Sequence, residues 1–235
     1  MALRAALFDF GGTLLDMQSD TRAHQRAYDA LVEKFDLPLS GHDLYEAVQR
    51  ELEPRQSQPG APWVSVKDLT HDAVLEVLSS VGHELRMQDW IWFWGAYTSL
   101  HRQYLVPISY AAGVLQDAKR LKLHVGLLSD ADRESLDVAM DAVRLKPSFD
   151  AITTSEEIKR SKPAKEMFLA ALEKAGCKPQ EAVYIGDSVE RDVRGARAVG
   201  MRAIHFSTDG CKEGDYCVPS LQLVTKILKE LKVTA

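Results

Sequence analysis

The stretch RAALFDFGGTLLD, residues 4–16, decides the fold of this chain. The apolar residues before Asp9 predict a short buried strand that ends in a single carboxylate. Gly11 and Gly12 follow almost at once, and they let the chain turn tightly and bring bare backbone close to whatever Asp9 touches. A buried strand that ends in an acid and a glycine turn is typical of a reactive site.

The second half of the chain alternates strand signals with helix signals. Four further strands are predicted within the segments LKLHVGLLSD, FDAITTSEE, EAVYIGDS and MRAIHFST. Pro163 near the start of one helical segment, and Gly176 and Gly200 at the ends of two, support the intervening helices. Strands that alternate with helices imply an α/β fold, with a doubly wound, Rossmann-like parallel sheet whose crevice lies at the carboxyl ends of the strands.

Residues 17–105 differ from the remainder because their pattern is helical and shows no clear strand. They predict an α-helical domain inserted after the first strand, which leaves residues 1–16 and 106–235 as the α/β core domain. One of the inserted helices carries a group of aromatic residues that suggests a substrate wall, although such a group is more often core packing: Trp90, Trp92, Trp94 and Tyr97.

Composition narrows the class of protein and its partners. The chain has 235 residues, of which 46% are hydrophobic and 27% charged, and a net charge of −5, as expected for a globular protein. A nucleic-acid partner is not expected, because phosphate backbones are bound by clustered basic side chains and no long basic run is present. No segment has the roughly 20 apolar residues of a membrane helix, and no secretory leader is recognisable, so we expect a cytoplasmic protein without membrane contact.

Polar side chains with complementary chemistry fall at the predicted ends of separate strands. Asp9 and Ser129 end strands, Asp187 follows one, Asp192 comes five residues after Asp187, and Lys162 precedes a helix. The carboxyl ends of parallel strands converge, so these groups predict one pocket that holds carboxylates, a hydroxyl and an ammonium. Carboxylates held close together repel unless a cation lies between them, and Mg²⁺ prefers such oxygen ligands. This combination suits phosphoryl chemistry.

With these motifs in order, the chain resembles the haloacid dehalogenase (HAD) superfamily, specifically its phosphatase-like members with a helical, C1-type cap inserted after the first motif. The matching segments are DFGGTL, LLSD, SKP and GDSVERD, which begin at Asp9, Leu127, Ser161 and Gly186. The resemblance covers nearly the whole chain, and residues 17–105 correspond to the cap domain.

The resemblance implies a role for each matching residue. Asp9 would be the nucleophile that forms an aspartyl-phosphate, Ser129 and Lys162 would hold phosphoryl oxygens, and Thr13 would order the loop. Mg²⁺ would be held by four residues: Asp9, the main-chain carbonyl of Gly11, Asp187 and Asp192. The residues expected around the substrate are Ser129, Lys162, Gly11, Gly12 and Asp130. The implied function is Mg²⁺-dependent hydrolysis of a small phosphorylated metabolite by a monomer or homodimer.

The chain departs from the family pattern at Gly11, where the family normally has a second aspartate that acts as general acid and base. Such assistance is typically worth about 10²–10⁴-fold in rate. Possible replacements are Asp16, Asp130, Asp132, and a histidine or acid from the cap. The metal site need not suffer, because the family uses the main-chain carbonyl at this position and glycine supplies one.

The departure at Gly11 leaves other functions open. Haloacid dehalogenases attack carbon without a metal and typically lack the acid that GDS supplies as Asp187, so this residue favours phosphate. Phosphonoacetaldehyde hydrolases carry a small residue at the Gly11 position but need a cap lysine, for which Lys34 and Lys67 are the candidates. A third alternative is a weakly active HAD fold with a binding or regulatory role. Cap cations that could meet an anionic substrate are Arg22, Arg26, Arg55 and Lys67.

Overall fold

A six-stranded parallel sheet forms the centre of the molecule in the computed structural model, which describes residues 2–56, 63–210 and 213–233. The spatial strand order is β3-β2-β1-β4-β5-β6, and every neighbouring pair is parallel. The strands are β1 Ala5–Phe8, β2 His124–Ser129, β3 Ala151–Thr154, β4 Ala182–Gly186, β5 Arg202–Phe206 and β6 Tyr216–Val218. The predicted doubly wound fold is confirmed, and the sequence analysis missed only β6, whose three residues are too short for a periodic signal.

Ten α-helices are found in the described part of the chain. Their bounds are α1 Met17–Phe35, α2 Gly41–Gln56, α3 Val66–Ser80, α4 Met87–Tyr104, α5 Ala111–Arg120, α6 Arg133–Ala142, α7 Ser155–Ile158, α8 Lys165–Ala175, α9 Arg194–Ala198 and α10 Leu221–Val233. None of these described helices combines the length and apolarity that a crossing of the bilayer requires.

The sheet is covered by helices on both faces, which explains why β1 is an unbroken apolar run. Ala6 and Phe8 of β1 point to one face, where they join a buried cluster with α5, α6 and α10. Ala5 and Leu7 point to the other face, where they join a cluster with α8 and α9. Successive side chains of a strand alternate between faces, so a strand buried on both sides needs apolar residues throughout.

Helices α1 to α4 lie between β1 and α5 in the chain and pack around an apolar cluster of their own. We call Met17–Tyr104 the four-helix segment. Its centre is formed by fully buried side chains from all four helices: Tyr28, Leu31, Leu44, Val74, Leu78 and Phe93. Trp90 and Trp94 also belong to this cluster, so these two aromatic residues have the packing role that is more frequent for such a group.

Two chain connections join the four-helix segment to the sheet, and they lie side by side. Asp16 begins α1 as its N-cap, where its carboxylate accepts the N–H groups of Gln18 and Ser19. The Asp16 N–H in turn donates to the Val106 carbonyl across 3.1 Å. The Val106 N–H donates to the Ser19 hydroxyl at 3.1 Å. The two connections, one entering and one leaving the four-helix segment, are therefore hydrogen-bonded to each other.

Candidate functional site

The site lies where the strand order changes direction, between β1 and β4. These strands are neighbours in the sheet, although most of the chain separates them in sequence. Asp9 follows β1 directly and Asp187 follows β4 directly, so both acids emerge at the carboxyl edge of the sheet. Ligands of open α/β sheets bind at this kind of topological switch point.

Lys162 ties the carboxylates of the site together. Its Nζ donates to Asp9 Oδ1 at 2.6 Å and to Asp192 Oδ1 at 2.7 Å, and only 3% of Lys162 is exposed. Burial lowers the pKa of Lys162, but the carboxylates of Asp192 and Asp9 outweigh burial and hold this pKa well above its usual value. Lys162 is therefore a fixed cation beside Asp9, as predicted from the position of the SKP segment before a helix.

Asp192 is almost completely buried, and three protein groups donate to its carboxylate. Besides Lys162, its carboxylate accepts the Tyr184 hydroxyl at 3.1 Å and the Ser188 N–H at 3.0 Å. The Tyr184 hydroxyl also lies 3.3 Å from Lys162 Nζ. These contacts make Asp192 a positioning residue for Lys162. Tyr184 was missed by the sequence analysis because a tyrosine within an apolar strand gives no signal of a polar role.

The glycine turn after Asp9 passes so close to the Asp187 carboxylate that it has no room for a side chain at position 12. Gly12 has φ +75°, and a β-carbon at this position would overlap the Asp187 carboxylate. Its N–H donates to the Leu15 carbonyl at 3.0 Å, within the loop rather than toward the cavity. Thr13 is fully buried beneath the site, with Oγ1 3.4 Å from Asp9 Oδ2, and fits the predicted loop-ordering role.

The remaining predicted residues come from the ends of β2 and the loop before α8. Ser129 ends β2, is 7% exposed and lines the cavity described below. Asp130 lines the same cavity, but its Oδ1 accepts the backbone N–H of Lys162 at 2.9 Å. Arg191 lies 3.4 Å from Asp130 Oδ2. Asp130 therefore anchors the backbone of Lys162, which precedes a cis bond to Pro163.

The acids outnumber the cation that they share. Ligand oxygens of Asp9, Asp187 and Asp192 lie within 4.8 Å of one another. Burial raises the pKa of Asp9 to about 8, against the opposing charge of Lys162 and with support from Asp192. Burial and Asp192 raise the pKa of Asp187 as well. A cluster of carboxyl oxygens whose protons a metal ion can replace fits a divalent, hard cation, and these residues could hold one.

A cavity of about 450 Å³ opens in front of Asp9 and extends to the four-helix segment. Core residues line one part of it, and the helices α1 and α4 contribute Asp20, His24, Tyr97 and His101. Of the four aromatic residues that the sequence analysis grouped on one inserted helix, Tyr97 is the one that lines this cavity. The sequence analysis allowed a histidine or an acid of the cap as a replacement for the acid missing at Gly11, but it did not single out Asp20 or His24. The four-residue spacing of Asp20 and His24, on one face of the first inserted helix, is the signal that could have found them.

Two of the acids considered as replacements for the acid missing at Gly11 already hold other parts of the structure together, although Asp132 also lines the cavity. Asp16 caps α1, as described above. Asp132 accepts hydrogen bonds from Trp63 Nε1 at 3.2 Å, from the Ser65 hydroxyl at 3.2 Å and from the Lys67 N–H at 2.9 Å. Asp132 therefore joins the core to the beginning of α3. Among the described histidines and acids of the four-helix segment, Asp20, His24 and His101 line the cavity, and they contact one another.

The family is shown by comparison with known proteins. Residues 3–200 match the model of the haloacid dehalogenase-like hydrolases, which is most of the chain. This chain therefore belongs to the haloacid dehalogenase-like hydrolases, as the four motifs predicted, and the expected enzyme class is confirmed.

Similar proteins of this family include phosphatases. The glyceraldehyde 3-phosphate phosphatase of Methanocaldococcus jannaschii is 30% identical over 142 residues, which is 58% of this chain and 62% of that protein. The chain thus spans less than two thirds of that relative. The ribulose-1,5-bisphosphate 5-phosphatase of Halopiger xanaduensis is 30% identical over 83% of this chain and 76% of its own length.

Solved structures show the same fold in enzymes with another reaction. The L-2-haloacid dehalogenase of Xanthobacter autotrophicus has a TM-score of 0.71 at 19% identity, and the match covers 97% of this chain and 98% of that one. At such low identity the likeness shows the fold alone. The choice between reaction types must therefore come from the residues of the site.

Proposed function

We propose that the chain is a Mg²⁺-dependent phosphohydrolase that removes phosphate from a small phosphorylated metabolite through an aspartyl-phosphate on Asp9. The observation that carries this proposal is the contact of Lys162 Nζ with Asp9 Oδ1 at 2.6 Å, beside the carboxylate of Asp187. A nucleophilic carboxylate, a fixed cation and an acid able to share a divalent ion are what a phosphate dianion requires.

The chain's own residues supply the two chemical steps. Asp9 attacks phosphorus, and an Asp9–phosphorus bond forms while the bond from phosphorus to the leaving oxygen breaks. The leaving oxygen takes up a proton and departs as an alcohol. Water then gives up a proton and attacks the phosphorus of the aspartyl-phosphate, which breaks the Asp9–phosphorus bond, releases inorganic phosphate and restores Asp9. Lys162 and Ser129 would hold phosphoryl oxygens through both steps, and Asp192 with Tyr184 keeps the ammonium of Lys162 in place.

The metal would be held by the carboxylates of Asp9 and Asp187 and by the main-chain carbonyl of Gly11. When bound, Mg²⁺ supplies positive charge that offsets the phosphate and allows Asp9 to stay ionised. Asp192 is better suited to orienting than to direct ligation, because Lys162, Tyr184 and Ser188 already occupy its oxygens. Gly12 leaves the space that the carboxylate of Asp187 needs.

The four-helix segment is the proposed cap, inserted as residues 17–105 between the two parts of the core, 1–16 and 106–235. Its residues line the same cavity as Asp9 and Lys162, which supports a role in enclosing the substrate. Enclosure limits the access of water until the aspartyl-phosphate has formed. The cavity volume of about 450 Å³ suits a small metabolite rather than a macromolecule.

Competing reactions are less well supported by the same geometry. Dehalogenase chemistry does not need Asp187, which the glycine turn is built to accommodate. Schiff-base chemistry needs a lysine of the four-helix segment at the cavity, but Lys34 lies over the ring of Trp92 and Lys67 bonds Glu134 at 3.0 Å. A purely binding role does not require a nucleophilic carboxylate beside a fixed ammonium, which is the pairing that Asp9 and Lys162 form.

The test is hydrolysis of p-nitrophenyl phosphate and acetyl phosphate, measured with Mg²⁺ and with EDTA. Both compounds have good leaving groups, so an enzyme without a general acid can turn them over. We expect Mg²⁺-dependent activity that Asp9→Asn abolishes and that the surface variant Asp141→Asn retains. Undiminished hydrolysis by Asp9→Asn would refute the mechanism, and metal-independent chloride release from 2-chloropropionate would favour dehalogenation.

A further inference from the structure

Two histidines and one acid of the four-helix segment turn their ligand atoms toward one another at the cavity wall. Asp20 and His24 lie four residues apart on α1, which places them on one face of that helix, and His101 approaches from α4. His24 Nδ1 lies 3.4 Å from His101 Nε2 and 3.5 Å from Asp20 Oδ2. His101 Nε2 lies 3.9 Å from Asp20 Oδ1.

These separations are too long for strong hydrogen bonds. Good hydrogen bonds between nitrogen and oxygen atoms span about 2.7–3.2 Å. Ligand atoms that surround one tetrahedral metal ion at about 2.0–2.1 Å lie roughly 3.3 Å from one another. The spacing of the three side chains is therefore closer to that of ligands around a shared ion than to that of a hydrogen-bonded group.

Tyr97 holds both histidine rings by their other nitrogens. His101 Nδ1 lies 2.7 Å from the Tyr97 main-chain carbonyl, which only accepts, so Nδ1 carries the proton and Nε2 keeps its lone pair. His24 Nε2 lies 2.6 Å from the Tyr97 hydroxyl. Histidines that bind metals almost always have their second ring nitrogen fixed by such a partner, which sets the tautomer and the orientation of the ring.

The proton of His24 has a place to go when Nδ1 binds an ion. Without an ion, Nδ1 donates to the Asp20 main-chain carbonyl at 2.9 Å and faces His101 Nε2, while Nε2 accepts the Tyr97 hydroxyl. With an ion on Nδ1, the proton moves to Nε2 and is donated to Tyr97 Oη. The hydroxyl proton of Tyr97 then turns toward the cavity that this residue lines. His24 is neutral in both states, so this change of tautomer releases no proton.

The carboxylate of Asp20 has no lysine or arginine as its partner among the described residues, where its basic neighbours are His24 and His101. Cations of the four-helix segment that were expected to meet an anionic substrate pair with other acids: Arg22 with Asp16 at 3.6 Å, Arg26 with Asp29 at 3.4 Å, and Lys67 with Glu134 at 3.0 Å. The side chain of Arg55 lies outside the described residues. Because both histidine rings are neutral in the arrangement above, a divalent ion would supply the positive charge that Asp20 lacks.

We propose that Asp20, His24 and His101 form a second metal site, which binds a divalent transition metal of the Zn²⁺ kind and does not depend on the proposed function. Imidazole nitrogens suit such ions, whereas Mg²⁺ prefers oxygen ligands and gives up its water reluctantly. The site between α1 and α4 therefore differs in metal preference from the all-oxygen site of Asp9 and Asp187. Three protein ligands leave a coordination position for water, and all three line the cavity.

Calorimetric titration with Zn²⁺ in excess Mg²⁺ tests the proposed site. We expect the wild-type protein to bind Zn²⁺ and His101→Asn to weaken this binding at least about 100-fold. The asparagine amide can still donate to the Tyr97 carbonyl, while the ligating nitrogen is lost. His42→Asn is the matched control, because His42 is exposed and is not one of the residues that line the cavity, and it should keep the wild-type affinity. Absence of Zn²⁺ binding in the wild-type protein, or equal affinity in His101→Asn, would overturn the proposal.

Variants of the two sites show where the Zn²⁺ binds. Asp187→Asn should weaken Mg²⁺ binding and leave Zn²⁺ binding intact, whereas His101→Asn should have the opposite effect. Asp20→Asn removes a ligand from the other helix and should weaken Zn²⁺ binding in the same way as His101→Asn. Loss of Zn²⁺ binding in Asp187→Asn, with full binding in His101→Asn and Asp20→Asn, would place the ion beside Asp9 and overturn the proposal.

Tyr97→Phe tests the orientation of the ligands. The variant keeps all three ligands and the main-chain carbonyl of residue 97, but it removes the oxygen that His24 Nε2 contacts, so Zn²⁺ affinity should fall by about 10–100-fold. Thermal unfolding with and without Zn²⁺ gives a second readout, because an ion that binds the native state raises Tm. The rise should be large in the wild-type protein and smaller in Tyr97→Phe and His101→Asn. A rise of equal size in all three proteins would contradict the site.

Discussion

Gly12 and Asp187 approach each other so closely that a β-carbon at position 12 would overlap the Asp187 carboxylate. The two residues belong to different strand ends, and their contact sets the distance between the turn after β1 and the acid after β4. Asp187 can therefore lie beside Asp9 only because position 12 has no side chain. Gly12 thus affects the candidate metal site by leaving room for the Asp187 carboxylate, and not by a hydrogen bond to it.

Gly12→Ala should displace Asp187 and weaken Mg²⁺ binding, with loss of most phosphatase activity. The alanine would also have to adopt φ +75°, which costs about 1–2 kcal/mol. Gly82→Ala is a matched control, because Gly82 has φ +79° but nothing lies within 4 Å of its added β-carbon. Calorimetric Mg²⁺ titration should separate the two, and equal Mg²⁺ affinity in both variants would contradict the steric role of Gly12.

Gly11→Asp should restore the general acid and speed the hydrolysis of substrates with poor leaving groups by about 10²–10⁴-fold. Little gain is expected on p-nitrophenyl phosphate, whose leaving group needs no proton. The new β-carbon would lie 3.3 Å from Met17 Sδ, and this exposed side chain can move aside. Gly11→Asn is the matched control, because it introduces a side chain of similar size that is not an acid. A comparable gain in that variant, or none in Gly11→Asp, would point to an acid elsewhere.

Lys162→Met should lower both stability and activity, because Asp9 and Asp192 lose their shared buried cation. Removing one partner of a buried ion pair typically costs about 3–5 kcal/mol in free energy of unfolding. Lys174→Met is the control, since Lys174 pairs with Glu157 on the surface and such pairs contribute about 0–1 kcal/mol. Urea unfolding without Mg²⁺ gives the free energy of unfolding of both variants and of the wild-type protein. Similar losses would show that the buried cation does not stabilise the site.

The stabilisation that Mg²⁺ gives should increase as the pH rises toward about 8. In the metal-free protein the pKa of Asp9 is raised from 3.8 to about 8 by burial, so folding favours the protonated acid. This contribution to stability is complete below pH 3.8 and is lost as the pH rises through about 8. Mg²⁺ requires the ionised carboxylate and competes with that proton, so its binding strengthens with pH.

Thermal unfolding with and without Mg²⁺ between pH 6 and pH 9 measures this effect. The shift in Tm caused by Mg²⁺ should grow across this range in the wild-type protein. In Asp9→Asn, which has no proton to displace at this position, the shift should be smaller and flatter. A wild-type shift that is independent of pH would show that Asp9 is already ionised in the metal-free protein.

Asp132→Ala should loosen the beginning of α3 from the core. The variant removes the acceptor for Trp63 Nε1, the Ser65 hydroxyl and the Lys67 N–H, each worth about 0.5–1.5 kcal/mol. Amide hydrogen exchange around residues 63–68 should become faster. Asp137→Ala is the control, because Asp137 lies in α6, the helix that follows Asp132, and its removal costs only surface ion pairs with Arg133 and Lys146. Unchanged exchange in Asp132→Ala would contradict the role of this contact.

The sequence predicted the parts of the site that follow strands, because the position of a residue at the end of a parallel strand determines where it lies. Asp9, Ser129 and Asp187 are of this kind, and Lys162 was found through its motif. Tyr184, Asp20 and His101 could not be predicted with the same certainty. Their roles depend on which neighbours the packing of distant helices and strands supplies, and single residues in apolar or helical segments do not indicate this.

The contacts made on folding also determine how many oxygens of a predicted acid remain available to a ligand. Asp130 and Asp192 are acids in the right motifs, yet the structure directs their oxygens to Lys162 and to backbone donors. A sequence motif gives residue type and spacing, but the number of hydrogen-bond acceptors left for a ligand depends on the contacts each carboxylate has already made.

The paired connections at Asp16 and Val106 have a consequence for engineering and for evolution. Because the four-helix segment leaves the sheet and returns to it at adjacent points, the gap left by its removal could be bridged by a short turn. The core could therefore exchange one inserted segment for another without a change in strand order. Substrate range and phosphate chemistry would then be separable traits, altered by transplanting one module while the other is kept.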